Sequence, residues 1–191
     1  IIPRVGRKYS SKRYPIPYDL HHYLVKMGWE FIDDIVWVKP EPSAKNRVAG
    51  FNQHRKPLAY KPNCISESVM VYRKKSDKLI DWNLKQYPEE VIEESKVENG
   101  FETSNVWHID PTFDKNHSAV FPKALCDRVI KYYSLKGDLI FDPFAGSGSV
   151  GIAALDNERS FFLTEQDKKY FELMREKLGK NLFQETTFIT E

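Results

Sequence analysis

Apolar positions along the chain switch between a helical and an extended period, and the switches mark out its elements. Leu20, Leu24 and Met27 recur at helical spacing behind Ile16-Pro17, and Gly28 closes that run. Residues 31–38 and 66–73 read as strands. The stretch between them has no helical period, so the two strands are predicted to be antiparallel. Residues 105–109 are a short apolar stretch. Pro122 opens a helix with Leu125, Val129 and Tyr133 on one face and Gly137 as its cap. An apolar strand, Leu139-Ile140-Phe141, runs into a glycine-rich turn, and a helix starts at about Ser149. Residues 160–164 form the next strand. A last helix begins at about Asp167, with Tyr170, Leu173, Met174 and Leu178 as its buried stripe. This alternation predicts an α/β fold: a mostly parallel sheet, an antiparallel edge hairpin and helices on both faces.

The turn after residue 141 carries the candidate chemistry. Asp142-Pro143-Phe144-Ala145-Gly146-Ser147-Gly148 joins a strand to a helix amino terminus, the place where α/β proteins hold cofactors. Glycine is needed where a Cβ would block the ligand's approach. Gly146, Gly148 and Gly151 also fit the G-x-G-x-x-G spacing of dinucleotide sites. Asp142 points the other way. Its carboxylate would repel a pyrophosphate but suits a ligand with an ammonium and a sulfonium, such as S-adenosylmethionine. Glu165 ends the next strand, 23 positions on, where an acidic residue can accept both ribose hydroxyls. A methyl donor, a dinucleotide and a purely structural turn are the three readings.

Composition narrows the partners. The net charge is +2, but residues 1–61 carry 12 Lys/Arg against 5 Asp/Glu, a balance of +7 that leaves −5 for the other 130 residues. One basic and one acidic half suggest a polyanion on one face. The long 41–63 connection is itself basic, and loops of that length in a domain are usually functional or disordered. Two cysteines, Cys64 and Cys126, make no disulfide framework, and no Cys/His spacing suggests a metal site. His21 and His22 point about 100° apart on a helix and read as structural. No apolar run reaches the ~18 residues of a membrane span, and no signal peptide is visible, so a cytoplasmic location is expected.

Two segments together resemble a known family. Asp142-Pro143-Phe144-Ala145-Gly146-Ser147-Gly148 is similar to motif I of the DNA amino-methyltransferases, which act on adenine N6 or cytosine N4. His117-Ser118-Ala119-Val120-Phe121-Pro122-Lys123-Ala124-Leu125 resembles their motif X. Motif X directly before motif I resembles the permuted, β-type order. Trp37-Val38-Lys39-Pro40 and Glu67–Tyr72 resemble the edge-hairpin motifs. The resemblance implies a Rossmann-like methyltransferase sheet in a single domain over residues 1–191. It implies S-adenosyl-L-methionine as cofactor, with Asp142 facing the donor's amino group and Pro143, Phe144, Ala145, Gly146, Ser147 and Gly148 passing under its methionine part. Glu165 would hold the ribose, and Ser118, Ala119 and Phe121 would close the other side. Double-stranded DNA is the implied partner, with phosphate contacts expected from Lys39, Lys45, Arg47, Arg55 and Lys56. The family's target-recognition region would fall at residues 74–104, which hold 5 Lys against 8 Asp/Glu, a poor composition for gripping phosphates.

The family's amine-activating motif, Asp/Ser/Asn-Pro-Pro-aromatic, does not occur in the sequence. Asp110-Pro111-Thr112-Phe113 comes near but lacks the second proline. No catalytic residue is therefore assigned within the chain, which begins Ile1-Ile2-Pro3 and reads as a piece of a longer enzyme. A split enzyme completed by a partner chain and a non-catalytic binding module are the alternatives.

Overall fold

The computed structural model describes residues 14–40, 64–97, 100, 102–112, 120–179 and 187. The chain divides into two compact units, residues 1–80 with 102–109, and residues 81–101 with 110–191.

The first unit is built on a hairpin. Helix α1, Ile16–Lys26, starts after Pro15, with Pro17 in its first turn; Asp19 and Lys26 complement the helix dipole at its two ends. Gly28, at φ +89°, turns the chain into β1. Strand β1 is Trp29–Val38 and β2 is Ser66–Lys74; they pair antiparallel, from Trp29 opposite Lys74 to Val38 opposite Ser66. A register shift between Phe31 and Asp33 marks a bulge. Strand β3, Val106–His108, lies parallel to β1 on its other side. Ile35, Trp37, Trp107 and Ile109 are the buried centre, and the Trp37 indole N–H donates to the Ile109 carbonyl at 2.8 Å. His21 meets this unit as a structural residue, its Nδ1 2.9 Å from the Tyr72 hydroxyl and its ring edge-on to Phe31.

Short helices α2, Ile80–Leu84, and α3, Glu89–Glu94, lead into the second unit. Its frame is α4 (Lys123–Tyr133), β4 (Leu139–Asp142), α5 (Ser149–Asp156), β5 (Ser160–Leu163) and α6 (Lys168–Gly179). Strands β4 and β5 pair in parallel, with Asp142 opposite Leu163, which requires the α5 crossover. Cys126 and Ile130 of α4 pack on Ala153 and Ala154 of α5, both fully buried; small residues there let the helices approach. Met174 and Leu178 of α6 pack on Ala145 and on Leu163, and Phe161 touches both clusters. The Asp167 side chain caps α6, accepting the Lys169 and Tyr170 amides.

Burial and capping depart from the simple apolar pattern at three places. The buried face of α4 is Leu125, Cys126 and Ile130; Val129 is half-buried and Tyr133 exposed, because α5 lies over the Cys126 side of the helix. Gly137 does not cap α4. That helix ends at Tyr133 with an extended Ser134, and Gly137 serves the turn into β4, at φ +84°. The apolar stripe of α1 buries no residue: Leu20 and Met27 are exposed and Leu24 is half-buried.

Candidate active site

The carboxyl ends of β4 and β5 hold the turn in a fixed shape. Asp142 closes β4, and its Oδ1 accepts the Phe144 amide at 2.9 Å, so the carboxylate folds back over the turn it starts. Thr164 follows β5 and touches three turn residues. Its N–H donates to the Asp142 carbonyl at 3.0 Å, its carbonyl accepts the Ala145 amide at 3.0 Å, and its hydroxyl donates to the Pro143 carbonyl at 3.0 Å. Glu165 comes next. Its Oε2 accepts the Gly146 amide and its Oε1 the Asp167 amide, each at 2.8 Å.

Positive φ calls for glycine at Gly146, at +54°, and at Gly148. Gly148 has φ +83°, and a Cβ on it would lie 2.8 Å from Met174 Cγ. A Cβ on Gly151 would lie 2.6 Å from Leu163 Cδ1, so this glycine sets how closely α5 lies on β5. Residues 145–148 are buried, while Phe144 is 87% exposed at the turn's tip. The Ser147 side chain is 2% exposed, and its hydroxyl has no hydrogen-bond partner among the described residues.

The electrostatics are one-sided. Burial pushes the Asp142 carboxyl above its ordinary value of 3.8; the Phe144 amide opposes that rise and the Glu165 charge adds to it. With the Glu165 charge disfavouring that of Asp142, the site is one that a cation relieves and an anion aggravates. The glycine spacing fits either class of cofactor. The carboxylate pair favours the cationic one. Cys126 is no nucleophile: burial, with the Asp127 and Asp142 charges, pushes its thiol up to about 12.

The other expected site residues are placed as follows. Phe121 is half exposed just before α4; Ser118 and Ala119 lie outside the described residues. Lys45, Arg47, Arg55 and Lys56 also lie outside them. Lys39 is engaged within its own hairpin: its ammonium pairs with Glu67 and sits 4.3 Å from the centre of the Trp37 ring. Asp110 is exposed, and Phe113 lies outside the described residues.

The acidic stretch after β2 attaches to the far end of β4. The Tyr87 hydroxyl donates to Asp138 Oδ1 at 2.9 Å, the Lys136 amide donates to Ser95 Oγ at 2.9 Å, and Glu94 lies 3.8 Å from Lys136. Residues 136 and 138 precede the strand that Asp142 ends, so these contacts are made at the end away from the glycine turn. Among the described residues, no helix is long and apolar enough to cross a membrane, and no group of three His, Cys, Asp or Glu could hold a metal ion.

Thr164 is the residue that sequence patterns missed. It reads as one more β-branched strand residue, and only its place directly before Glu165 hints at more.

Residues 6–176 match the family model described as DNA methylase, of the N6/N4 methyltransferases. Among curated proteins, the chain is 28% identical over 160 residues to the type II methyltransferase M.Cfr9I of Citrobacter freundii, covering 83% of this chain and 47% of the relative. It is 32% identical over 148 residues to the type II methyltransferase M.BglI of Bacillus subtilis, covering 76% and 38%. The chain thus spans less than half the length of these relatives. Among solved structures, the DNA modification methylase TTHA0409 of Thermus thermophilus, in complex with S-adenosyl-L-methionine, superposes with a TM-score of 0.70 at 22% identity, over 94% of this chain and 65% of that one. That likeness gives the fold, an α/β methyltransferase fold.

Proposed function

We propose that this chain, which belongs to the N6/N4 DNA methylase family, forms the cofactor-holding part of a DNA methyltransferase. The enzyme would move a methyl group from S-adenosyl-L-methionine to an exocyclic base amine, adenine N6 or cytosine N4. One observation carries the reading. Asp142 ends β4, Glu165 lies two residues past the end of the adjacent parallel strand β5, and both carboxylates accept amides of the glycine turn.

The residues present fit the donor. Asp142 would meet its ammonium, and partial relief of the Asp142–Glu165 repulsion would favour binding. Glu165 is held by two amides, and a carboxylate has acceptor sites left for two ribose hydroxyls. The buried, unpartnered Ser147 hydroxyl is available beside the turn's amides. Pro143, Phe144, Ala145, Gly146 and Gly148 would line the methionine part, and Ser118, Ala119 and Phe121 the opposite side. When bound, the donor supplies an electrophilic methyl on a sulfonium.

The protein's own work at this turn would be to hold and orient the donor. The amine-activating group, absent from this sequence, would come from further chain or from a partner chain. Motif X ahead of motif I supports the permuted, β-type order. Double-stranded DNA would be gripped through Lys45, Arg47, Arg55 and Lys56, with Lys39 joining only by leaving Glu67. The attachment of residues 87–95 at the far end of β4 favours the 41–63 connection over the 74–104 stretch as base reader. Restriction-modification in the cytoplasm is the matching setting.

The test is mass spectrometry of DNA incubated with the full protein and methyl-labelled donor. Labelled N6-methyladenine or N4-methylcytosine is the expected product. Donor binding with unlabelled DNA would instead favour a binding-only protein.

A further inference from the structure

We propose that Thr164 is a positioning residue for the methyl-donor site, setting the Asp142–Gly146 turn through its hydroxyl. The inference rests on the methyl-donor reading above and extends it to a residue that touches no expected ligand atom.

The geometry carries it. A turn of this kind has few repeating hydrogen bonds, so its shape depends on what braces it from outside. Asp142 braces the turn from its own start, through the Phe144 amide. The Gly148 N–H donates to the Ala145 carbonyl at 2.9 Å within the turn, and four further bonds come from two consecutive residues after β5. Thr164 takes the Asp142 carbonyl, the Pro143 carbonyl and the Ala145 amide; Glu165 takes the Gly146 amide. The two backbone bonds of Thr164 continue the β4–β5 ladder and any residue would make them. The hydroxyl bond to Pro143 needs Ser or Thr. Proline has no amide N–H, so Pro143 has only its carbonyl to offer the ladder. The Thr164 hydroxyl reaches that carbonyl and fixes the peptide plane between Pro143 and Phe144. The N–H of that plane is the one that holds Asp142 Oδ1. The hydroxyl therefore sets the orientation of the carboxylate through one peptide unit. Thr164 is exposed, so little core packing depends on its side chain.

The test uses Thr164→Val, which keeps the branched shape and removes the hydroxyl, and Thr164→Ser, which keeps the hydroxyl. Both are made in the full protein, and S-adenosylmethionine affinity is measured by calorimetry alongside thermal melting. Thr164→Val should weaken binding by about three- to tenfold, the range of one net hydrogen bond, with the melting temperature little changed. Thr164→Ser should bind like the parent. Equal affinity in Thr164→Val, or a melting temperature that falls in step with affinity in both variants, overturns the positioning role. A parent protein that binds no donor at all overturns the methyl-donor reading, and this inference with it, and is told apart by its failure in the parent.

Discussion

The Glu165 carboxylate accepts the backbone N–H of Gly146 at 2.8 Å, tying the end of one parallel strand to the glycine turn of its neighbour. Its second oxygen takes the Asp167 amide, so one side chain holds the turn and the entry to α6 together. Glu165→Ala removes both acceptors. It should lower stability by about 1–3 kcal/mol, the cost of leaving the part-buried Gly146 amide unsatisfied, and should abolish donor binding. Glu165→Gln retains one carbonyl oxygen and should recover part of the stability without recovering the affinity. Thermal melts and calorimetry on the two variants check this.

Asp142 gives a pH signature. Its folded value lies above 3.8, chiefly through burial, so the donor-free protein carries a carboxylate whose charge the fold disfavours. As pH falls through the raised folded value the native group protonates first, and stability is gained. Below the unfolded value both states are protonated and no further change follows. Asp142→Asn should therefore melt no lower than the parent at neutral pH while binding donor far more weakly. Between 3.8 and the raised value, donor binding should release a proton. Calorimetry in two buffers of different ionisation enthalpy reads it; a heat that does not depend on the buffer contradicts the assignment.

Arg159 should prove structural. It is 5% exposed and donates to the Ser134 hydroxyl and carbonyl and to the Asn157 carbonyl, so it closes the carboxyl ends of α4 and α5 at once. Both helix dipoles favour its charge. Arg159→Ala should cost about 2–4 kcal/mol in denaturant unfolding, and Arg159→Lys should restore little, since an ammonium lacks the planar fork.

Gly148→Ala forces a Cβ into the left-handed region at φ +83° and against Met174 Cγ. The backbone alone costs about 1–2 kcal/mol. Met174→Ala in the same protein should relieve the contact but not the backbone strain, so the double variant should stay less stable than Met174→Ala alone in thermal melts.

Salt dependence separates the basic residues of the 41–63 connection from Lys39. If Lys45, Arg47, Arg55 and Lys56 meet phosphates, neutralising all four should lower the slope of log affinity against log salt by about 3–4. Lys39→Ala should mainly loosen the hairpin, because its charge already faces Glu67 and Trp37. A flat slope in the parent removes the phosphate role altogether.

The glycine turn, the strands on either side of it and the acidic residues that end them were legible because each follows from local chemistry. Short apolar runs bounded by turn residues make strands, glycine supplies positive φ, and a carboxylate beside a backbone turn has a definite charge preference. What stayed hidden depends on contacts distant in sequence. The buried face of α4 was chosen by α5, so Cys126 and Ile130 displaced Val129 and Tyr133 from the expected stripe. The bulge at Phe31–Asp33 is set by pairing with β2, which alternation within β1 does not reveal. Tyr87 and Ser95 find their partners across 51 and 41 residues, so the docking of the acidic stretch had no local signal. Thr164 was invisible for the same reason: its importance lies in a carbonyl 21 positions away.

Calorimetric titration of S-adenosylmethionine into the full protein and its Asp142→Ala variant tests most directly whether Asp142 receives a cationic donor. Measurable binding by the parent and none by the variant is the predicted result. Equal affinity in the two proteins would contradict the account, as would a parent that ignores the methyl donor and takes up a dinucleotide instead.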